Sequence, residues 1–308
     1  MNSINLATLL MTTLRNGGSD PYTSIPAQTL GAELLVNGDF SDGTGTFPNG
    51  FTYALGTSGG DPGISQTAAN GGAGAGSAKF TQSAAVENTP ALTQTIFTVG
   101  DYYEAAAEMT QRTSGTLTYR IGGNAQTLSA VGTAVLMARA DSTGYLVRAN
   151  NNPSSWVGDN LSAKKITPST QKTAPSANQK ITGLYTLPGS PRKGEAVWLM
   201  PRISNFSSGN YWVAVLTYTG SQWNINLYSV AAHTRTSRIS ATNIGTTNGI
   251  YVNMNGDSVS LYTTANGGSS WTQQGSTITN ATYNIAVDYN MMATSLVTMT
   301  QLKYEPAA

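Results

Sequence analysis

Apolar and polar residues alternate along the first half of the chain. Apolar residues occupy every second position over 103–109 and again over 117–121. A period of two places one set of side chains on a core and leaves the other set in water, as in a half-buried β-strand. Turn formers at Gly100 and Gly122 interrupt the pattern. The pattern therefore predicts consecutive strands joined by tight turns.

The same alternation of apolar and polar residues continues in the second half of the chain. Strands are predicted at 196–200, 211–218 and 223–230, and further runs predict strands at 283–288 and 295–304. In the strand that begins at Trp223, this residue shares its face with two apolar residues, so we expect it to be buried. Asn255-Gly256 is a strong hairpin signal, because a type I′ turn needs positive φ at both central residues.

Residues 57–77 interrupt this pattern. They are rich in Gly, Ala and Ser, which predicts a long surface loop. Beyond the N-terminus no stretch has helical periodicity. The many short strands predict an all-β chain with two β-sandwich (jelly-roll) domains in tandem.

The N-terminal segment differs from the rest. Five apolar residues fit one face of a short helix: Ile4, Leu6, Leu9, Leu10 and Leu14. We interpret this helix as a docking arm, with a partly ordered tail as the alternative. No Lys or Arg precedes the apolar stretch, so no signal peptide is expected, and no run is long enough to span a membrane.

Composition shifts divide the chain further. Arm and linker occupy 1–29, the first sandwich 30–166, a second linker 167–179 and the second sandwich 180–308. The second linker carries two prolines and almost no apolar residue.

The charge content is low. Only 10% of the 308 residues are charged and the formal net charge is +1, so no overall field attracts nucleic acid or an anionic membrane. We expect neither as a partner. Cysteine is absent, which excludes disulfides and thiolate chemistry.

Two stretches of the first predicted domain carry a family resemblance. Leu34-Leu-Val-Asn-Gly-Asp-Phe40 and Val157-Gly-Asp-Asn-Leu161 resemble the first and last strands of carbohydrate-binding-module-like jelly rolls. The second domain resembles concanavalin or laminin-G-like jelly rolls, through Tyr211-Trp-Val-Ala-Val-Leu216 and Val252-Asn-Met-Asn-Gly-Asp257. The resemblance implies two β-sandwiches.

Such modules behind a short N-terminal arm also resemble tailed-phage virion proteins of the decoration, head-fibre or tail-adhesin type. This resemblance implies a virion structural protein on the outer surface of a phage capsid or tail. Its expected partners are other virion proteins through the arm, further copies of itself in a homo-oligomer, and a host-surface glycan. The alternative is a secreted or surface carbohydrate-binding protein without catalytic activity.

The first-domain resemblance also implies a structural calcium ion where the first and last strands meet. Calcium prefers hard oxygen ligands, and the matching carboxylates are Glu33, Asp39 and Asp159. Asn160 stands where relatives frequently carry a second Asp, which removes one charge. Without a metal, Asp39 caps its turn and Asp159 ends a strand. No other cofactor is expected.

Sugar binding needs exposed aromatic rings with polar residues beside them. The candidates are Tyr228, Trp271 and Trp156. Tyr228 lies on an Asn-bearing strand face, and Trp271 follows a Gly- and Ser-rich turn.

Catalytic motifs are missing from the sequence. His233 is the single histidine, so a Ser-His-Asp triad or a histidine-rich metal centre has no second histidine to use. No pair among the 15 acidic residues stands out at strand-end spacing. The sequence therefore predicts a protein that is not an enzyme.

Overall fold

The computed structural model describes residues 28–41, 50–54, 63–68, 76–82, 91–168, 171–206 and 208–307. These residues form strands and turns and contain no helix, which confirms the all-β prediction. None of them belongs to a helix long and apolar enough to cross a membrane. The predicted arm helix, with Ile4, Leu6, Leu9, Leu10 and Leu14, lies outside the described residues.

The described residues form twenty strands. In chain order they are β1 (Thr29–Glu33), β2 (Thr52–Ala54), β3 (Gly63–Ala68), β4 (Gly76–Gln82), β5 (Ala91–Thr95), β6 (Tyr102–Ile121), β7 (Asn124–Leu128), β8 (Gly132–Arg139), β9 (Gly144–Thr167), β10 (Lys172–Thr173), β11 (Gln179–Thr186), β12 (Ala196–Ile203), β13 (Tyr211–Tyr218), β14 (Trp223–Ala231), β15 (Thr234–Ala241), β16 (Gly249–Asn255), β17 (Ser258–Thr264), β18 (Thr272–Thr279), β19 (Asp288–Ala293) and β20 (Thr298–Pro306).

The N-terminal unit, β1–β9, is a single curled sheet that we name sheet I. Its two long strands, β6 and β9, pair from Tyr102 opposite Ile166 to Ile121 opposite Tyr145. The register shifts several times near the middle of this pair, and such bulges bend a strand. Both halves of β6 therefore contribute to one core, which contains the alternating residues of 103–109 and 117–121.

The C-terminal unit, β10–β20, contains two antiparallel sheets. Sheet II has the strand order β10-β19-β12-β13-β14-β15, and sheet III has the order β18-β17-β16-β11-β20. Apolar side chains of both sheets form the core between them, including Trp212, Leu227, Val252 and Leu261. Trp223 is buried in this core, as its strand pattern predicts. The segment predicted as the second linker carries β10, which pairs with β19.

The central strands of sheet II, β12 and β13, are covered on both faces. Along β12, Val197 and Leu199 belong to the core of the C-terminal unit, whereas Trp198 and Met200 point the other way into a third apolar cluster. That third cluster joins Tyr102, Met137 and Ile166 of the N-terminal unit to sheet II residues Ala196, Trp198, Met200, Ile203, Tyr211, Val213, Val215, Val230 and Met292. Strands buried on both faces are expected to be continuously apolar, and β12 is apolar from Ala196 to Pro201 and β13 from Tyr211 to Leu216.

Polar groups also join the two units. The Arg192 Nε lies 2.5 Å from the Glu195 Oε1, and its Nη2 lies 3.5 Å from the Glu104 Oε1 across the unit boundary. Glu104 also accepts hydrogen bonds from the backbone N–H (2.6 Å) and the hydroxyl (2.5 Å) of Ser295. Thr294 donates its hydroxyl hydrogen to Glu195.

Gly194 lies where the backbones of the two units approach each other. The backbone carbonyl of the neighbouring Lys193 accepts a hydrogen bond of 2.7 Å from the Val135 N–H. The Lys193 ammonium group donates a hydrogen bond of 2.6 Å to the Thr127 carbonyl. A Cβ at Gly194 would collide with the Val135 carbonyl oxygen, and the φ of +89° is in the left-handed region. Both observations explain glycine at this position.

Candidate functional site: an aromatic platform on sheet III

The outer face of sheet III carries aromatic residues because of strand alternation. In β16 the buried Ile250 and Val252 point into the core, so Tyr251 between them points outward. In β17 the buried Leu261 likewise leaves Tyr262 on the outer face. Tyr251 and Tyr262 are directly opposite each other in the antiparallel pair.

The two tyrosines form a cluster with Trp271, which directly precedes β18. The ring centroids of Tyr251 and Tyr262 are 4.3 Å apart with an interplanar angle of 20°, and Trp271 meets Tyr251 edge to face at 4.6 Å and 70°. All three side chains are partly exposed. We name Tyr251, Tyr262 and Trp271 the aromatic platform. Its rings fix one another's orientation and leave apolar surface facing solvent.

Charged side chains border the platform. The Lys180 ammonium lies 4.6 Å from the centroid of the Tyr251 ring, a cation–π contact. It also lies 3.1 Å from the Glu305 carboxylate, which accepts a second contact of 2.8 Å from Lys303. Partial burial would raise the pKa of Glu305, but the hydrogen bonds from Lys303 and Lys180 outweigh it and hold the pKa below its ordinary value.

Tyr251 stays a neutral donor over the whole physiological range. Burial raises its pKa to about 12, and the neighbouring Tyr262 and Glu305 act in the same direction. Tyr262 in turn donates its hydroxyl hydrogen to the Gln273 side chain at 3.3 Å. The platform therefore combines ring faces with neutral hydrogen-bonding groups and a lysine–glutamate network.

A groove of about 370 Å³ lies beside the platform. Its lining includes Leu184, Asn248 and Gly267. Leu184 pairs with Gly249 across β11 and β16, and the Trp271 ring packs over Gly249. The groove thus adds polar backbone and amide groups at the Trp271 end of the platform.

The structure separates the three predicted sugar-binding aromatics. Trp271 belongs to the platform. Tyr228 is partly buried on the opposite side of the C-terminal unit, next to the unit boundary, where Arg235 lies 5.6 Å from its ring. The prediction that Trp156 binds sugar is wrong. This side chain is 1% exposed and stacks on Phe80 at 3.9 Å inside the first core. A ring packed in this way offers no face to a sugar.

Sequence reasoning missed Tyr251 and Tyr262. The signal was present, since each tyrosine alternates with core residues whose burial the strand pattern predicts. What the pattern did not contain was the pairing of β16 with β17, which brings the two rings together.

The predicted calcium ligand Glu33 is engaged by the protein itself. Its Oε1 accepts hydrogen bonds from the backbone N–H groups of Leu34 (3.1 Å), Leu35 (3.1 Å) and Ala163 (2.6 Å). Its Oε2 accepts the Ser162 hydroxyl at 2.6 Å. The carboxylate thus ties the end of β1 to β9.

The other two predicted ligands lie in a separate acidic patch. Burial raises the pKa of Asp159, and the negative charges of Glu108 and Asp39 raise it further. Hydrogen bonds from Ser41, the backbone N–H first, lower the pKa of Asp39. Among the described residues no three His, Cys, Asp or Glu side chains are arranged to hold a metal ion. The calcium site stays a prediction.

Comparison with known proteins identifies no family for this chain. No family model matches the chain. No curated protein matches it. Among solved structures, a mutant of the GH43 protein BlXynB from Bacillus licheniformis is similar at 10% identity and a TM-score of 0.32, over 79% of this chain and 63% of that chain. This chain therefore spans less than two thirds of the length of that structure.

This comparison corrects the prediction that the protein is not an enzyme. GH43 denotes glycoside hydrolase family 43, so a structure matched to this chain comes from an enzyme family, and the non-enzymatic assignment is withdrawn. At this identity and TM-score the likeness carries no argument for a particular activity.

Proposed function

We propose that the protein binds carbohydrate through the aromatic platform on sheet III. The observation that carries this proposal is the grouping of Tyr251, Tyr262 and Trp271 on a solvent-facing sheet. The C–H faces of sugar rings are apolar and stack on aromatic rings, whereas their hydroxyl groups need donors and acceptors nearby.

The surroundings of the platform supply those polar partners. Lys180 and Lys303 are donors, Glu305 is an acceptor, and the groove beside Trp271 contributes the Asn248 amide. The local charge of two lysines and one carboxylate is small. These groups suit a neutral or weakly acidic glycan chain that lies along the sheet.

Replacing Trp271 or Tyr262 by alanine is expected to weaken glycan binding about tenfold or more, because each change removes a stacking surface. A glycan array identifies the ligand, and titration calorimetry on the full chain measures the affinity of each variant. Near-ultraviolet circular dichroism checks that both variants keep the native fold.

Tyr228→Ala is the matched control, since it removes a partly buried ring from the other side of the same unit. Binding lost in Tyr228→Ala but kept in Trp271→Ala would contradict the proposed face. An array without any bound glycan would contradict carbohydrate binding altogether.

The prediction of a virion protein depends on the arm, whose residues lie outside the described part of the chain. It stays a prediction, as does the secreted binding protein that was its alternative. A glycan-binding face would serve either of them in attachment to a host or polymer surface.

A further inference from the structure

A second concave site lies on the boundary between the two units. This cleft has a volume of about 370 Å³. The N-terminal unit contributes Tyr102 and Arg139, and the C-terminal unit contributes Tyr211, His233 and Arg235. Small-molecule sites are common at such boundaries, because two units together enclose more of a ligand than either surface alone.

The two arginines of the cleft have no acidic partner within salt-bridge distance among the described residues. Arg235 is held by aromatic rings instead, 4.4 Å from the Trp198 ring and 5.6 Å from the Tyr228 ring. Stacking orients a guanidinium plane and leaves its N–H edge available. Asp141 is the acidic residue among the described residues that line the cleft. Its carboxylate accepts a hydrogen bond of 2.5 Å from the Gly123 backbone N–H.

The floor of the cleft adds a further donor. The hydroxyl oxygens of Tyr102 and Tyr211 are 3.2 Å apart, and both side chains are buried. One of the two hydroxyl groups donates its hydrogen to the oxygen of the other. The second hydroxyl group keeps its own hydrogen outside this contact. Burial and the neighbouring Tyr211 raise the pKa of Tyr102, while the positive charges of Arg139 and Arg235 oppose that rise. Both arginines thus lie within electrostatic reach of a protonated hydroxyl.

The turn that carries the C-terminal side of the cleft is held in an uncommon conformation. Ala232 and His233 have φ angles of 45° and 66°, although neither is glycine. The Asn210 side chain accepts the Ala232 N–H at 3.0 Å, and the His233 ring occupies the space where a Cβ of Gly209 would lie. This arrangement fixes the start of β15, and with it Arg235, at the cleft.

We propose that this cleft binds a small oxyanion, either a carboxylate or a phosphate or sulfate group, between Arg139 and Arg235. Guanidinium groups match the geometry of such anions with paired N–H donors. The tyrosine pair offers one more donor to the same oxygen atoms. Donors from both units converge on one space, and an acceptor-only ligand satisfies all of them.

The test is titration calorimetry of the full chain with sodium glucuronate, inorganic phosphate and inorganic sulfate, with glucose as the uncharged control. Arg139→Gln and Arg235→Gln each remove one charge and are expected to weaken anion binding about tenfold or more. Arg112→Gln is the matched control, because Arg112 is exposed, bonds to the Gly115 carbonyl and does not line the cleft. Added salt should weaken the binding in the parent chain.

Binding of glucuronate alone would identify a carboxylate ligand, and binding of phosphate or sulfate alone a phosphate- or sulfate-bearing one. Either result supports the proposal if both cleft variants weaken it and Arg112→Gln does not. Absence of binding by all three anions would overturn it, and so would equal binding by the parent chain and both cleft variants. Trp271→Ala should leave anion binding unchanged, which separates this site from the platform.

Discussion

Replacing Arg192 by alanine is expected to lower the free energy of unfolding by about 3–5 kcal/mol. The Arg192 guanidinium contacts two carboxylates, and the exposed fractions of the three side chains are 20% for Arg192, 0% for Glu195 and 7% for Glu104. Removing the cation leaves both negative charges buried without a counterion. Since Glu104 belongs to the other unit, the same change weakens the attachment of the two units.

Urea unfolding followed by circular dichroism measures the effect. Lys165→Ala is the matched control, because it breaks an exposed pair with Asp101 and should change the free energy of unfolding by less than about 1 kcal/mol. Adding Glu104→Gln to the Arg192→Ala variant should restore part of the loss, since one unpaired charge disappears. If Arg192→Ala and Lys165→Ala cost the same, the buried network does not stabilise the fold.

Trp212→Ala is expected to lower the free energy of unfolding by about 3–5 kcal/mol as well. Trp212 is fully buried between sheets II and III. Its indole N–H donates to the Thr282 carbonyl at 2.7 Å. The substitution therefore creates a cavity and leaves the partly buried Thr282 carbonyl without its donor.

Trp271→Ala is the control for this second prediction. It makes the same chemical change at a partly exposed position, where a loss under about 1 kcal/mol is expected. Thermal and urea unfolding of the two variants compare them directly. Equal losses would mean that Trp271 is part of the folded core, which would also remove the basis of the proposed glycan-binding face.

The strand alternation was sufficient to predict the fold class. The residues that alternate over 103–109 and 117–121 form the first core, and the strand that begins at Trp223 directs its apolar face inward. Local patterns of this kind depend only on which face of one strand is buried. They succeed because burial is the dominant stabilising term and the side-chain period of a strand is fixed.

Two segments were predicted wrongly. Residues 57–77 were expected to be a surface loop, but they contain β3, where Ile64 is buried, and the start of β4, which pairs with β9. Small residues fit a strand when neighbouring strands supply the apolar surface. Conversely, the segment 283–288 was expected to be a strand, but 283–285 lie in a turn, β19 begins only at Asp288, and Ile285 is 85% exposed.

Prediction of the two sites requires knowledge of contacts between residues that are distant in the chain. Trp271 was identified from its local sequence, whereas Tyr251 and Tyr262 become a site only through the pairing of β16 with β17. The cleft joins Arg139 and Arg235 from different units, and no local pattern indicates that they meet. Contacts between units depend on docking, which a single strand's pattern does not encode.

Both faces of β12 and β13 are buried, which restricts the residues that can replace those of these two strands. In a strand with one face exposed to solvent, a polar residue at every second position can be replaced by another with little loss of stability. Here successive positions such as Trp212 and Val213 both lack water, one inside the C-terminal sandwich and one against the N-terminal unit. Expressing residues 180–308 alone would bare an apolar sheet face, so that fragment should self-associate or precipitate unless it keeps its neighbour.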